Sequence, residues 1–134
     1  MPTTVPAEEA TISDQTVSVM IVDDQPPFRD VARTVVAVTP GFQVADEAGS
    51  GELAIERARA VRPDLVLMDI NLPGINGIEA TRRILAELPE TVVVLLSTYT
   101  REDLPADAES CGAARYVHKE DISPAVLREV TRPQ

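Results

Sequence analysis

Four consecutive apolar residues, Leu65-Val66-Leu67-Met68, end on a single carboxylate, Asp69, and a turn containing Pro73-Gly74 and Gly77 follows. Bounded by Pro63-Asp64 and Pro73-Gly74, the run reads as a strand buried on both faces. Strands of that kind belong to parallel sheets covered by helices, and open α/β sheets hold their ligands beyond the carboxyl ends of the strands. A carboxylate at that position is either a functional group or an ordinary loop entry or helix cap. The rest of the chain has to decide between these.

The pattern recurs along the chain. Residues 1–16 are rich in Thr, Pro and Glu with isolated apolar residues, too little apolar surface to offset ordering, and are expected to form a flexible extension. Val17 to Val22 is a β-branched strand that ends on Asp23-Asp24. Pro26-Pro27 starts a helix whose apolar stripe is Phe28, Val31, Ala32, Val35 and Val36, ended by Pro40-Gly41. Phe42 to Ala48 alternates as a second strand, placed at an edge, and Ala54, Ile55, Ala58 and Val61 mark a second helix. Gly77-Ile78 opens a third helix with Ile78, Thr81, Ile84, Leu85 and Leu88 on one side. Thr91 to Leu96 is a fourth strand closed by Ser97-Thr98. Pro105 to Cys111 reads as a short, weakly apolar helix, Ala114 to His118 as a fifth strand ending at Lys119, and Ser123 to Arg132 as a last helix capped by Ser123. The order is (βα)₅, which implies one domain over residues 17–132, a parallel five-stranded sheet with helices on both faces, and a two-residue tail.

The balance of 12 basic and 22 acidic residues, a net charge of −10, argues against this domain gripping a phosphate backbone, which needs clustered Lys and Arg. Cys111 is alone and reads as a buried core thiol. Without an apolar run long enough to span a bilayer or a secretion signal at the start, a cytoplasmic location and no membrane partner are expected.

Asp23, Asp24, Asp69, Ser97 and Lys119 all fall at carboxyl ends of expected strands, hence on one edge of one sheet. Three carboxylates within ~5 Å would repel by roughly 3 kcal/mol per pair at an effective dielectric near 20, so the arrangement calls for a cation. An all-oxygen donor set suits Mg²⁺, and the lack of His or Cys in the pattern disfavours Zn²⁺. Lys119 and Ser97 suit the peripheral oxygens of a phosphoryl group, leaving Asp69 as a nucleophile able to form an acyl phosphate. Singly, Lys119 is as easily a solvated surface lysine and Ser97 a strand-end hydroxyl; their convergence is what favours the functional reading.

From Val17 to about Arg132 the chain resembles the receiver domain of bacterial two-component response regulators. The resemblance rests on Asp23-Asp24, on Asp69-Ile70-Asn71-Leu72-Pro73-Gly74-Ile75-Asn76-Gly77, on Ser97-Thr98 and on Tyr116-Val117-His118-Lys119. It implies a flavodoxin-like sheet in the order 2-1-3-4-5. It also implies a module that is not an enzyme beyond its own phosphorylation and dephosphorylation, with Asp69 accepting a phosphoryl group from a sensor histidine kinase. Asp24 and Asp69 would ligate Mg²⁺, with Asp23 acting through water and the Asn71 carbonyl completing the set. Lys119 and Ser97 would hold the phosphoryl group, and Ser97 and Tyr116 would form the switch. Partners implied are the kinase and an effector domain or downstream protein, and the pairing of two phosphorylated copies stays open.

Four positions depart from the family pattern. Thr98 replaces a smaller residue beside the site, Glu120 stands where many receivers have Pro, Arg115 replaces a small residue, and His118 replaces an apolar one. The sequences around Leu96-Ser97-Thr98-Tyr99 and Lys119-Glu120-Asp121-Ile122 are most similar to receivers of the nitrate- and nitrogen-fixation-regulator (NarL/FixJ) type. The principal rival is a pseudo-receiver that keeps the fold without phosphorylation, supported by Thr98. An aspartyl-phosphate phosphohydrolase would want a carboxylate where Asn71 stands, and a nucleotide-binding flavodoxin-like domain would want a Gly-rich loop after the first strand.

Overall fold

The structure, a computed structural model, describes residues 16–98 and 105–131. The residues read from sequence as a flexible extension, up to 15, lie outside that range, as do Tyr99 and Arg132. Five strands, β1 (Val17–Val22), β2 (Phe42–Ala48), β3 (Leu65–Asp69), β4 (Val92–Ser97) and β5 (Arg115–His118), form one parallel sheet in the order β2-β1-β3-β4-β5. The helices are α1 (Pro26–Ala37), α2 (Gly51–Val61), α3 (Gly77–Glu87) and α4 (Pro124–Val130). This is the flavodoxin-like order the sequence implied, with β2 at the edge.

Strand alternation splits the core into two layers. Met20, Val22, Val66, Met68, Val93 and Leu95 face α2 and α3, meeting Ala54, Ile55, Ala58, Ile78 and Ile84. Val19, Ile21, Leu65, Leu67, Val94 and Leu96 face the other way, toward Ala32 and Val36 of α1 and Leu127 of α4. Every residue of β3 is buried, as expected of a central strand covered on both sides. Each fully buried Leu, Val or Met side chain contributes about 1.5–3 kcal/mol relative to exposure.

Helix starts follow local chemistry. Ser50 Oγ accepts from the Leu53 amide at 3.1 Å, Asn76 Oδ1 from Glu79 at 2.9 Å and Ser123 Oγ from Val126 at 3.3 Å, each satisfying an otherwise orphaned N–H. α1 has no side-chain cap and starts instead on Pro26, whose missing N–H costs nothing there.

Two readings need correction. Ala106–Ser110 forms a 3₁₀ helix rather than an α-helix: two acidic residues occupy its few positions, and Gly112 at φ 101° breaks the chain before a second turn can form. It still buries Ala108 and Cys111. Val31, read as part of the α1 stripe, is 50% exposed, because only Ala32 and Val36 of α1 are buried against the sheet.

Candidate functional site

Parallel register is what gathers the site. Val22 pairs with Met68 across β1 and β3, so the next residues, Asp23 and Asp69, leave the sheet side by side. Ser97 pairs with His118 across β4 and β5, which brings Lys119 to the same edge. Asp23 is fully buried, Asp69 is 3% exposed, Ser97 is buried and Asp24 is exposed. One carboxylate oxygen from each of Asp23, Asp24 and Asp69 lies within 4.8 Å of the others.

Lys119 is the countercharge. Its Nζ stands 2.6 Å from Asp23 Oδ2 and 3.4 Å from Asp69 Oδ2, and 4.7 Å from the centre of the Phe28 ring. Burial pulls the Lys119 ammonium toward deprotonation, but the Asp23 and Asp69 carboxylates outweigh it and hold its pKa above the ordinary lysine value. Asp69 is displaced the other way. Burial, reinforced by the Asp23 charge, pushes its pKa up to about 6 despite Lys119 and the Asn71 amide.

The backbone around the carboxylates is tightly held. Asp23 Oδ1 accepts from the Gln25 amide at 2.8 Å, and Arg29 Nη1 donates to the Asp23 carbonyl at 2.5 Å. Asp69 Oδ1 accepts from the Asn71 amide at 3.2 Å. Gly77 passes so close to β3 that a Cβ there would overlap the Asp69 carbonyl oxygen. Gly74 takes φ 75°, and a Cβ on it would sit 2.5 Å from Glu52 Oε2. That Glu52 oxygen accepts from the Ile75 amide at 3.1 Å, a bond that holds the Glu52 carboxyl below its usual range.

Asn71 is exposed, two residues beyond Asp69. Tyr116 is half-buried, and its hydroxyl donates to the Ala108 carbonyl at 2.6 Å, tying β5 to the 3₁₀ segment. His118 Nδ1 accepts from the Glu120 amide at 3.2 Å, so the tautomer that satisfies both contacts donates from Nε2 to the Thr98 carbonyl, also 3.2 Å away. The Thr98 side chain belongs to an exposed residue at the rim of the site. Arg115 pairs with Glu129 on the surface at 3.2 Å.

The donor set fits a hard divalent cation. All three donors are carboxylates, two are buried with insufficient positive charge around them, and exposed Asp24 opens the cluster to water. Chemically, a partly desolvated carboxylate beside an ammonium and a buried hydroxyl can accept a phosphoryl group.

The profile of the response regulator receiver domain matches residues 19–132. The chain belongs to the response regulator receiver domain family. This receiver is 33% identical over 119 residues to the transcriptional regulatory protein DegU of Brevibacillus brevis, covering 89% of this chain and 50% of DegU. It is 38% identical over 103 residues to the response regulator GacA of Pseudomonas viridiflava, covering 77% and 48%. The signal receiver domain of a NarL response regulator from Mycobacterium tuberculosis superposes with a TM-score of 0.78 at 29% identity, covering 89% of this chain and 99% of that one. The NarL-type kinship expected from the Ser97 and Lys119 segments is thus met. The receiver spans about half the length of the curated relatives it matches. Receiver domains bind Mg²⁺ at an acidic pocket, and Asp23, Asp24 and Asp69 here form a carboxylate cluster that could hold a metal ion. No helix among the described residues is long and apolar enough to cross a membrane.

Sequence reasoning missed three groups. Phe28 was absorbed into a core stripe, and Arg29 and Glu52 were not singled out. Their only signal was position: Phe28 and Arg29 follow Asp23-Asp24 within one helical turn, and Glu52 sits in the first turn of α2.

Proposed function

We propose that this receiver is a phosphoacceptor module of a two-component signalling system, working in the cytoplasm. A sensor histidine kinase phosphorylates it on Asp69 in a Mg²⁺-dependent reaction, and the phosphorylated form switches an output domain or partner protein. The observation that carries this reading is the convergence of three carboxylates within 4.8 Å with the Lys119 ammonium set between Asp23 and Asp69.

Asp24 and Asp69 would hold the ion directly, Asp23 through water, and the Asn71 carbonyl would complete the protein's share. Bound there, Mg²⁺ neutralises charge between the carboxylates and the incoming phosphate. Asp69 supplies the nucleophile: a carboxylate oxygen forms the bond to phosphorus as the phosphorus–nitrogen bond of phosphohistidine breaks. The leaving imidazole keeps the electron pair and takes up a proton. Lys119 and Ser97 bind phosphoryl oxygens, so the added charge, roughly −2, draws both inward. The reaction takes a phosphoryl group from the donor and leaves this chain itself altered as the acceptor, which is why it is a switch and not an enzyme.

Tyr116 and Ser97 form the switch on this reading. Movement of Ser97 changes the space beside β5, and the Tyr116 hydroxyl exchanges its bond to Ala108 for another position. Output then follows from repacking of the 3₁₀ segment, β5 and α4. Residues 17–132 act as the receiver unit.

The test is intact mass after incubation with acetyl phosphate, with and without Mg²⁺, on the native chain and on Asp69→Asn. One phosphoryl addition that needs both Mg²⁺ and Asp69 is expected. No addition together with no Mg²⁺ binding would instead favour a phosphorylation-independent interaction module, the reading to which Thr98 at the rim lends support.

A further inference from the structure

Lys119 is the only lysine in these 134 residues; every other side-chain cation apart from His118 is an arginine. Among the described residues its ammonium neighbours Asp23, Asp69 and the face of Phe28. Both carboxylates belong to the chemistry proposed above. In the structure Lys119 is closer to Asp23, at 2.6 Å, than to Asp69, at 3.4 Å, so serving a phosphoryl group on Asp69 means giving up its shortest ion pair. An ammonium changing partners on a flexible four-carbon stem needs something that stays put.

Phe28 is the neighbour that does not take part. Its ring face attracts a cation through the aromatic quadrupole, and it has no oxygen to offer a metal and no proton to exchange. The ring is also well anchored. Phe28 lies in the first turn of α1, and the neighbouring Arg29 ties that turn to the Asp23 carbonyl at 2.5 Å. Phe28 packs against the core but is only half-buried, and the ring also lies against the Lys119 ammonium, which an aliphatic residue of similar size would not attract.

We propose that Phe28 is a positioning residue for Lys119: its ring face holds the ammonium at the strand ends while the partner changes from Asp23 to the phosphoryl group on Asp69. This rests on the phosphoacceptor reading and adds to it a side chain outside the acidic cluster. The ring retains a low-dielectric wall on one side of the charge, so Lys119 is neither released to water when Asp23 turns to a metal ion nor locked to one carboxylate.

A single lysine makes the test direct. Selective ¹³C,¹⁵N-lysine labelling of the full chain yields one side-chain signal set, read in the native protein, Phe28→Leu and Phe28→Tyr, each with and without Mg²⁺. The same proteins are phosphorylated with acetyl phosphate, and their thermal midpoints are recorded. Expected are upfield-shifted Lys119 Cε protons that stay shifted when Mg²⁺ is added, loss of that shift in Phe28→Leu, and its return in Phe28→Tyr. Phosphorylation should slow about 3- to 10-fold in Phe28→Leu at a nearly native midpoint and recover in Phe28→Tyr, the scale of one partly desolvated cation–π contact. A Phe28→Leu protein phosphorylated at the native rate overturns the proposal, as does a slowing that merely tracks a lowered midpoint and is not repaired by Phe28→Tyr. If the native chain takes no phosphoryl group, the phosphoacceptor reading fails by itself; the Lys119 shift then decides on Phe28, its persistence in Mg²⁺ supporting the hold and its absence overturning it.

Discussion

Lys119 is paired with Asp23 at 2.6 Å, more closely than with Asp69 at 3.4 Å. The lysine thus compensates the most buried carboxylate of the cluster, so a divalent ion held by these carboxylates would compete with it.

Lys119→Met should expose this competition. Removing one partner of a buried pair leaves uncompensated charge, so the metal-free variant is expected to lose roughly 3 kcal/mol in urea denaturation. Added Mg²⁺ should restore most of that loss, and Mg²⁺ should bind about tenfold more tightly than to the native chain because one cation no longer repels another. Equal Mg²⁺ affinity in the two proteins, by calorimetry, would count against the competition.

Asp69→Asn is expected to abolish phosphoryl addition and yet stabilise the metal-free fold by roughly 2 kcal/mol at pH 7. The sign follows from the raised pKa. With Asp69 at about 6 folded and near the ordinary 3.8 unfolded, the folded state holds the extra proton between these values. Its contribution is fully present below pH ~4 and lost as pH rises through ~6. Native stability in EDTA should therefore carry a downward component across that window that the Asn variant lacks; parallel pH profiles would refute it.

Gly77→Ala places a methyl group against the Asp69 carbonyl oxygen. A clash with backbone on both sides has no flexible end to yield, so a loss of about 3 kcal/mol or more is expected, with weaker Mg²⁺ binding as β3 is displaced from its register. An Ala variant with native midpoint and Mg²⁺ affinity would show that the turn has slack.

Glu52→Ala should loosen the turn after β3. The Ile75 amide loses its acceptor, and faster hydrogen exchange at Ile75 is expected with exchange in the β3 core unchanged. Glu52→Gln, which keeps an acceptor oxygen without the charge, should fall between. Unchanged exchange at Ile75 in both would mean the bond does not constrain the turn.

Much of this was legible in order along the chain. The apolar runs at Val17, Leu65 and Thr91, each closed by a polar residue, and the helical spacings between them, carry strand and helix identity because backbone period and local burial are encoded within a few residues. Ser50, Asn76 and Ser123 are capping residues wherever they are read. Val31 was misread because spacing defines a stripe but not its width, and the stripe α1 buries is narrow. The 106–110 segment was misread because five residues carry too little period to separate 3₁₀ from α.

The sequence by itself determined that Asp23, Asp24, Asp69, Ser97 and Lys119 end strands of one parallel sheet, since strand ends are local features and crossover handedness is nearly invariant. Only the tertiary structure decided which of them touch. The β1–β3 register sets Asp23 beside Asp69, and the β4–β5 register carries Lys119 toward Asp23 more than toward Asp69. Packing of α1 on the sheet then brings Phe28 over the same ammonium. Those contacts join residues up to 96 positions apart, from Asp23 to Lys119, and no local period specifies a distance between groups that meet only when separate elements pack.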